Sequence, residues 1–437
     1  MKSSIKIGII GFGTVGTGLV RILLQQKDLL LRRLGIPLEI AAIADHDAEK
    51  DRGISLPPDV LTTNAAKIIQ DPDIDIVVEL IGGTGPAKQY ILDAIEGGKH
   101  VVTANKALLA THGEEIFQTA AVKGVDVGFE ASVCGAIPIL RSMKEGLVAE
   151  KISAIYGIVN GTCNYILTKM SEEGKAFADV LQEAQDLGYA EADPTLDIDG
   201  ADSAHKLAIL ANLAFGTPIS LKDIYTEGLE RVSSIDINFA EKFGYKIKLL
   251  AIAKSANGEI EARVHPTMIQ KNTLLSRVGG VFNAVYLIGD SAGEVLFYGK
   301  GAGALPTGSA VVSDIISLAR DIIKGTSGRV PATAYIGPSR KKLRIKRIEE
   351  IESLYYLRFM AEDDPGVLSK ISGILGENRI GISSVIQQGR KIGGHVPLVM
   401  MTHRAREKDV RQALSNIDNR DYVSEQTMLI RVEGDDE

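Results

Sequence analysis

A chain of 437 residues can bury more than one core, so two or three domains are expected. Its composition, 45% apolar and 24% charged with no tryptophan, is that of a globular protein, and a formal net charge of −7 argues against nucleic-acid binding, which wants a basic face. Cys134 and Cys163, the only cysteines, make no disulfide framework and point to a reducing compartment, the cytoplasm. No apolar run reaches the ~18 residues of a membrane span, and the first strand begins too early to leave room for a signal peptide.

Ile5 to Ile10 is a short apolar run that reads as a buried parallel strand. Gly11-Phe12-Gly13-Thr14-Val15-Gly16 follows at once, and a helical pattern opens there with Val15, Leu19, Val20 and Leu23. A GxGxxG between strand and helix is the context that makes it a dinucleotide site: the glycines allow a tight turn, and a pyrophosphate rests on the helix N-terminus. A second strand, Leu38 to Ala44, ends at Asp45, placed to accept from the adenosine ribose hydroxyls and so to favour NAD. It lies further from the glycines than the usual ~20 residues because the first helix is long, and Lys50 and Arg52 keep a 2′-phosphate in play.

Further strands are expected at Ile74 to Ile81, His100 to Ala104 and Val125 to Ala131, alternating with helices. That order predicts an α/β, Rossmann-type, doubly wound sheet over residues 1–150, completed by 302–328, with ligands at the carboxyl ends of the strands. Thr103, Lys106 and Glu130 lie at those ends. After Pro138 the pattern changes to an inserted α+β domain, residues 151–301: a strand from Lys151 to Val159, a helix opened by Asn160, and a helix from Phe177 to Leu187 stopped by Gly188. Strands Lys246 to Ser255 and Glu259 to Ile269 are joined by the hairpin signal Asn257-Gly258.

Between them lies the densest chemistry in the chain. Glu191, Asp193, Asp197, Asp199 and Asp202 precede Lys206, and Asp199 reads as the N-cap of the following helix. Asp202 and Lys206 share a helix face that continues as Ile209, Leu210 and Leu213. A charged pair opening an apolar face is costly to bury, which is tolerated most often where chemistry needs it; the plain alternative is an exposed salt bridge. An EF-hand reading fails, since Ala201 and Ala208 stand at the fifth and twelfth positions from Asp197. Gly299 to Gly303 then leads into a helix from Thr307 to Ile323.

Residues 329–352 read as a linker, with the basic run Arg340 to Arg344 as a solvated face. The tail, 353–437, gives strand, helix, two strands, helix, strand: a ferredoxin-like βαββαβ order.

Together these residues resemble homoserine dehydrogenase of the bacterial form with a C-terminal ACT domain. The pieces that carry the resemblance are GFGTVG, TANK at Thr103 to Lys106, NGTCNYIL at Asn160 to Leu167, and GYAEADPTLDIDGADSAHK from Gly188. Cys163 stands where the family pattern has threonine, and with no kinase-like domain before the first strand the likeness is to the single-function form. The resemblance implies interconversion of L-homoserine and L-aspartate 4-semialdehyde with NAD(P)(H), a step in threonine, methionine and isoleucine biosynthesis. It implies Lys206, with Asp202, as the acid–base machinery, and Glu191, Asp202 and Asp197 on the substrate. Cofactor contacts are implied from the loop Gly11 to Gly16, from Thr103 and Lys106, and from Gly188 and Gly303. A sodium-type cation on Glu130 and the backbone carbonyls of Val133, Gly135 and Ile137 is implied, as are a homodimer or homotetramer and an amino-acid effector, threonine, at the tail. Read as a detached regulatory module, the tail should be removable near Glu352 without loss of activity. The other readings are a non-catalytic dinucleotide sensor with an amino-acid-binding tail, and another amino-acid dehydrogenase.

Overall fold

The computed structural model describes residues 2–389 and 394–434, so the far end of the tail, 435–437, and the segment 390–393 lie outside the described residues. The chain forms two compact units. The first comprises the chain through Val159, Ala204–Lys222 and Phe282–Leu343; the second comprises Asn160–Ser203, Asp223–Val281 and Arg344–Glu437.

In the first unit, strands β1 (Ile5–Ile10), β2 (Leu38–Ala44), β3 (Leu61–Thr62), β4 (Ile76–Glu79), β5 (His100–Thr103) and β6 (Val127–Gly128) form one parallel sheet in the order β3-β2-β1-β4-β5-β6. This is the doubly wound order, with its switch point between β1 and β4, where a ligand crevice opens. Ile7 and Ile9 on β1 share a core with Val20 of the helix Thr14–Gln25 and with Val311, Ile315 and Ala319 of the helix Ala304–Lys324. That last helix starts three residues before its expected first residue, at a Gly303 N-cap of positive φ, +118°. The same unit holds an antiparallel ladder of Ile152–Ile158, Phe282–Gly289 and Gly293–Lys300.

The fifth expected strand is shorter than its apolar run. It stops at Gly128 because the N–H of Glu130 donates to the buried Asp314 carboxylate at 2.8 Å, and Glu130–Ser132 winds into a 3₁₀ turn. The long first helix is two helices, Thr14–Gln25 and Lys27–Leu34. The linker segment is tied down rather than loose: Tyr335 donates to the carbonyl of Ala214, and Thr217 to that of Lys341. Arg340 is not solvated but tucked in, paired with Glu114, whereas Arg344 stays exposed.

In the second unit, Tyr245–Ala256 and Glu259–Gln270 form a hairpin through Asn257 and Gly258, both at positive φ as a tight hairpin turn requires. The tail follows the expected order: Glu352–Glu362, Val367–Glu377, Ile382–Gln387, His395–Thr402, Glu407–Asp418 and Met428–Glu433. It is not detached. Its last strand pairs in parallel with the hairpin, Thr267 opposite Arg431 and Ile269 opposite Glu433, so the sheet runs unbroken from hairpin to tail.

Buried ion pairs rivet that seam. Asp236, fully buried, accepts from Arg358 Nε at 2.7 Å and from the Tyr356 hydroxyl at 3.0 Å, while capping its own helix with Ser233. Arg431 donates to Glu407 at 2.9 Å and to Glu227 at 3.0 Å, and Arg263 donates to Glu433 at 2.6 Å. Breaking such a buried pair by removing one partner costs about 3–5 kcal/mol, because the other charge is left stranded.

Candidate active site

At the carboxyl end of β1 the chain turns at Gly11, whose φ of +108° and close approach to the Leu80 backbone exclude a side chain. Gly13 caps the helix Thr14–Gln25 and faces open space, which leaves the helix N-terminus clear for an anion. Phe12, Thr14, Val15 and Gly16 complete this turn. Asp45 closes it from below: one carboxylate oxygen accepts the Phe12 N–H at 2.6 Å, and the other accepts the Asp47 N–H at 2.9 Å and Arg52 Nη2 at 3.0 Å. Burial pushes the Asp45 carboxyl up, but those two N–H groups and the Arg52 guanidinium outweigh it and hold it below the usual range. Arg52 also lies 4.7 Å from the Phe12 ring centroid. The position of Asp45 was legible in the sequence; its engagement by Arg52 was not.

One residue that sequence reading missed is Glu79, at the end of β4. It is buried, accepts the N–H groups of Ile81 and Gly82 at 2.9 and 3.1 Å, and takes the Thr103 hydroxyl at 2.7 Å. Burial raises its carboxyl above the ordinary value. The available signal was a charged residue closing an apolar strand. Thr103 thus ties β5 to β4, and Lys106 opens the next helix behind the Asn105 cap, at the carboxyl end of β5.

Glu130 is buried, and its two carboxylate oxygens accept the N–H groups of Leu140 and Arg141 at 2.8 and 2.7 Å. Burial and the nearby Asp314 push it up to about 7. The backbone bends sharply after Val133, with Cys134 and Gly135 at φ of +56° and +50°. The Ile137 carbonyl accepts from the Ile139 N–H at 2.8 Å. Among the described residues no group of three His, Cys, Asp or Glu side chains is arranged to hold a metal, so a cation here would depend on carbonyl oxygens, the donor type of a hard ion.

Lys206 is buried on the helix Ala201–Phe215, and its ammonium donates to the Val159 carbonyl at 2.6 Å. The same carbonyl accepts Asn283 Nδ2 at 3.0 Å. Asp202 lies four residues earlier on that helix and is also buried, so the exposed salt bridge is excluded: neither side chain is at the surface.

The second unit gathers the rest of the acidic stretch. Asn160 caps the helix Gly161–Glu173 by accepting the Cys163 N–H, and its amide donates to Asp197 at 2.7 Å and to Asp202 at 2.9 Å. Cys163, in place of threonine, donates its thiol to the Asp197 carbonyl at 3.1 Å, a bond a hydroxyl would also make. Thr162 donates to the Tyr189 carbonyl, fixing the segment that begins at Gly188, itself at φ +72°. Asp197 belongs to a short helix, Thr195–Ile198, absent from the sequence reading, and Asp199 accepts the N–H of Ala201 as the next helix begins. Glu191 is exposed. Asp197 and Asp202 are therefore joined through one amide that the sequence reading had treated as a helix start.

The chain matches three family models: "Homoserine dehydrogenase, NAD binding domain" over residues 11–130, "Homoserine dehydrogenase" over 138–316 and "ACT domain" over 355–420. It is 46% identical to the homoserine dehydrogenase of Neisseria gonorrhoeae, covering 98% of both chains, and 42% identical to that of Bacillus subtilis, covering 99% of both. The crystal structure of a homoserine dehydrogenase from Thiobacillus denitrificans superposes with a TM-score of 0.93 at 44% identity over 98% of each chain. A hyperthermophilic archaeal homoserine dehydrogenase mutant solved with NADPH matches 75% of this chain and 100% of its own at a TM-score of 0.63 and 28% identity. A dinucleotide loop, a buried lysine and a clustered pair of aspartates, carried on a chain that aligns over nearly its whole length with the three bacterial enzymes, place the protein in the homoserine dehydrogenase family.

Proposed function

We propose that the protein interconverts L-homoserine and L-aspartate 4-semialdehyde with NAD(P)(H), in the cytoplasm. The observation that carries the reading is Lys206, a buried ammonium held by a carbonyl rather than left in solvent. Reduction of the aldehyde needs a proton at the forming alkoxide, and Lys206 supplies it; in the reverse direction it takes the proton from the hydroxyl. The nicotinamide cofactor, when bound, supplies or accepts the hydride. Asp202 positions the lysine from one turn earlier. Asp197 and Asp202, presented together by Asn160, with Glu191, receive the substrate ammonium.

The turn Gly11 to Gly16 holds the pyrophosphate, with Thr103, Lys106, Gly188 and Gly303 as further cofactor contacts. Asp45 supports the loop and Arg52 sits beside it, so NADPH and NADH are both accommodated. A sodium-type ion binds at Glu130, Val133, Gly135 and Ile137, through carbonyl oxygens. The fold divides functionally into 1–150 with 302–328, the substrate domain 151–301, and the ACT domain from 353, whose effector is an amino acid such as threonine. The assembly is a homodimer or homotetramer. No helix among the described residues is long and apolar enough to cross a membrane. A non-catalytic sensor has no use for a buried lysine one helical turn after a buried aspartate. The test is oxidation of NADPH or NADH in the presence of aspartate semialdehyde; a pure protein that binds the cofactor and leaves it unconsumed sinks the proposal.

A further inference from the structure

The carbonyl that holds Lys206 has a second donor, Asn283, and all three residues lie in the first unit. The ladder of Ile152–Ile158 with Phe282–Gly289 ends where Ala284 pairs with Ile158. Antiparallel register puts Asn283 opposite Val159, one step past that end. There the Val159 carbonyl accepts from two side chains, the Lys206 ammonium at 2.6 Å and Asn283 Nδ2 at 3.0 Å. A carbonyl oxygen offers two lone-pair directions. The amide takes one of them, which orients the carbonyl and leaves the other for the ammonium.

Asn283 is wedged from behind. It is 1% exposed, and a Cβ on Gly301 would overlap its Cγ, Oδ1 and Nδ2, so a glycine there leaves the amide its place. Gly301 is backed in turn by the bend after Val133. A Cβ on Gly135 would lie 2.6 Å from the Gly301 oxygen, and the Ala136 N–H donates to the Lys300 carbonyl at 3.1 Å.

Stability does not account for this asparagine. The Val159 carbonyl is already satisfied by Lys206, while Asn283 Oδ1 is buried with no hydrogen-bond partner among the described residues. A buried acceptor left bare is costly, and an apolar side chain of the same shape would avoid that cost. Such a group in a native fold calls for an explanation other than holding the fold together.

We propose that Asn283 is a positioning residue for Lys206: by fixing the direction of the Val159 carbonyl, it aims the ammonium at the site of proton transfer. The proposal rests on the reading of Lys206 as the acid–base group and adds the residue that sets its geometry.

The test compares the full-length protein with two variants. Asn283→Leu keeps the shape and removes both polar atoms; Asn283→Asp puts a carboxylate oxygen where the donor was. Asn283→Leu should keep the parent's melting temperature and cofactor KM but lose about tenfold or more in kcat in both directions, the scale of a misaimed reacting group. Added to Lys206→Ala, the same substitution should cost nothing further, because no ammonium is left to aim. Asn283→Asp should also move the pH profile of homoserine oxidation to higher pH, since a carboxylate beside the ammonium favours its charged form. That shift carries the test should Asn283→Leu fail to fold. A folded Asn283→Leu protein with the parent's kcat, or an equal further loss on the Lys206→Ala background, overturns the proposal and leaves Lys206 the acid–base group. Failure of both Asn283 variants to fold makes the amide structural and overturns it as well. A parent protein that leaves the cofactor unconsumed with aspartate semialdehyde overturns the proposed activity, and this proposal with it.

Discussion

The nucleotide-binding sheet and the tail seam both depend on buried carboxylates, but they use them in opposite ways. At the ends of β2, β4 and β6, Asp45, Glu79 and Glu130 each accept two backbone N–H groups and so fix loop backbone. Asp45 takes those of Phe12 and Asp47 with Arg52 beside it, Glu79 those of Ile81 and Gly82, and Glu130 those of Leu140 and Arg141. At the seam, Asp236 and Glu433 accept from Arg358 and Arg263 and join segments distant in sequence, and Arg431, held by Glu407 inside the tail, reaches across to Glu227. A carboxylate spent on amides presents a loop to a ligand. A carboxylate spent on a guanidinium fixes one piece of fold to another, at high cost if either partner is lost. The difference explains why the tail, a separable module by its element order, is structurally part of the second unit.

The largest expected effect comes from removing one side of the seam outright. A chain ending at Glu352 would strand the buried Asp236 on its helix and leave the strand of Arg263 as an exposed sheet edge, and it should be insoluble or lack native circular dichroism and activity. A soluble, active truncation would restore the detached-module reading.

Next comes Lys206, which belongs to neither set of carboxylates. Lys206→Ala should lower kcat by about 10²-fold or more, the scale of a missing general acid, with little change in cofactor KM because the glycine turn is untouched. Lys206→Arg should fail nearly as badly, since arginine keeps the charge but hardly releases a proton. Near-normal turnover in a folded Lys206→Ala protein would remove the residue from the mechanism.

The two uses of a carboxylate separate in a matched pair of substitutions. Asp236→Ala should cost about 3–5 kcal/mol of stability in denaturant titration. Asp45→Asn should cost about 1–3 kcal/mol, the range for disturbing a buried hydrogen-bonded group, and act mainly by raising cofactor KM. Equal losses, or a cofactor effect from Asp236→Ala, would erase the distinction.

The smallest effect is on pH dependence. Burial pushes Glu407 and Glu433 up, but their arginines, with Lys254 at Glu433, outweigh it and hold both below the ordinary 4.5. Their stabilisation is thus complete above 4.5 and drains as pH falls through their lower folded values. Burial raises Glu79 above 4.5, so its contribution runs the other way: full below 4.5 and lost as pH rises through its folded value. On acidification, hydrogen-exchange protection should fall along Met428–Glu433 before it falls at the Ile81–Gly82 turn; the reverse order would contradict the assignment.

Several features were legible in the sequence because their causes are local. A strand, a glycine turn and a helix in succession specify the dinucleotide loop, and apolar runs alternating with helices specify a parallel sheet. Asp202 and Lys206 are one helical turn apart wherever that helix lies. Other features rest on distant partners. Arg52 meeting Asp45, Asn160 joining Asp197 to Asp202, and Asp314 ending β6 by taking the Glu130 N–H are choices made by packing. The seam is the extreme case: Asp236 and Arg358 are 122 residues apart and Arg263 and Glu433 are 170 apart, so no periodicity or spacing marks them as pairs. Local patterns set which elements form and where ligands approach. Only the folded chain, by burying charges that must then find partners, decided that the tail is part of the second unit.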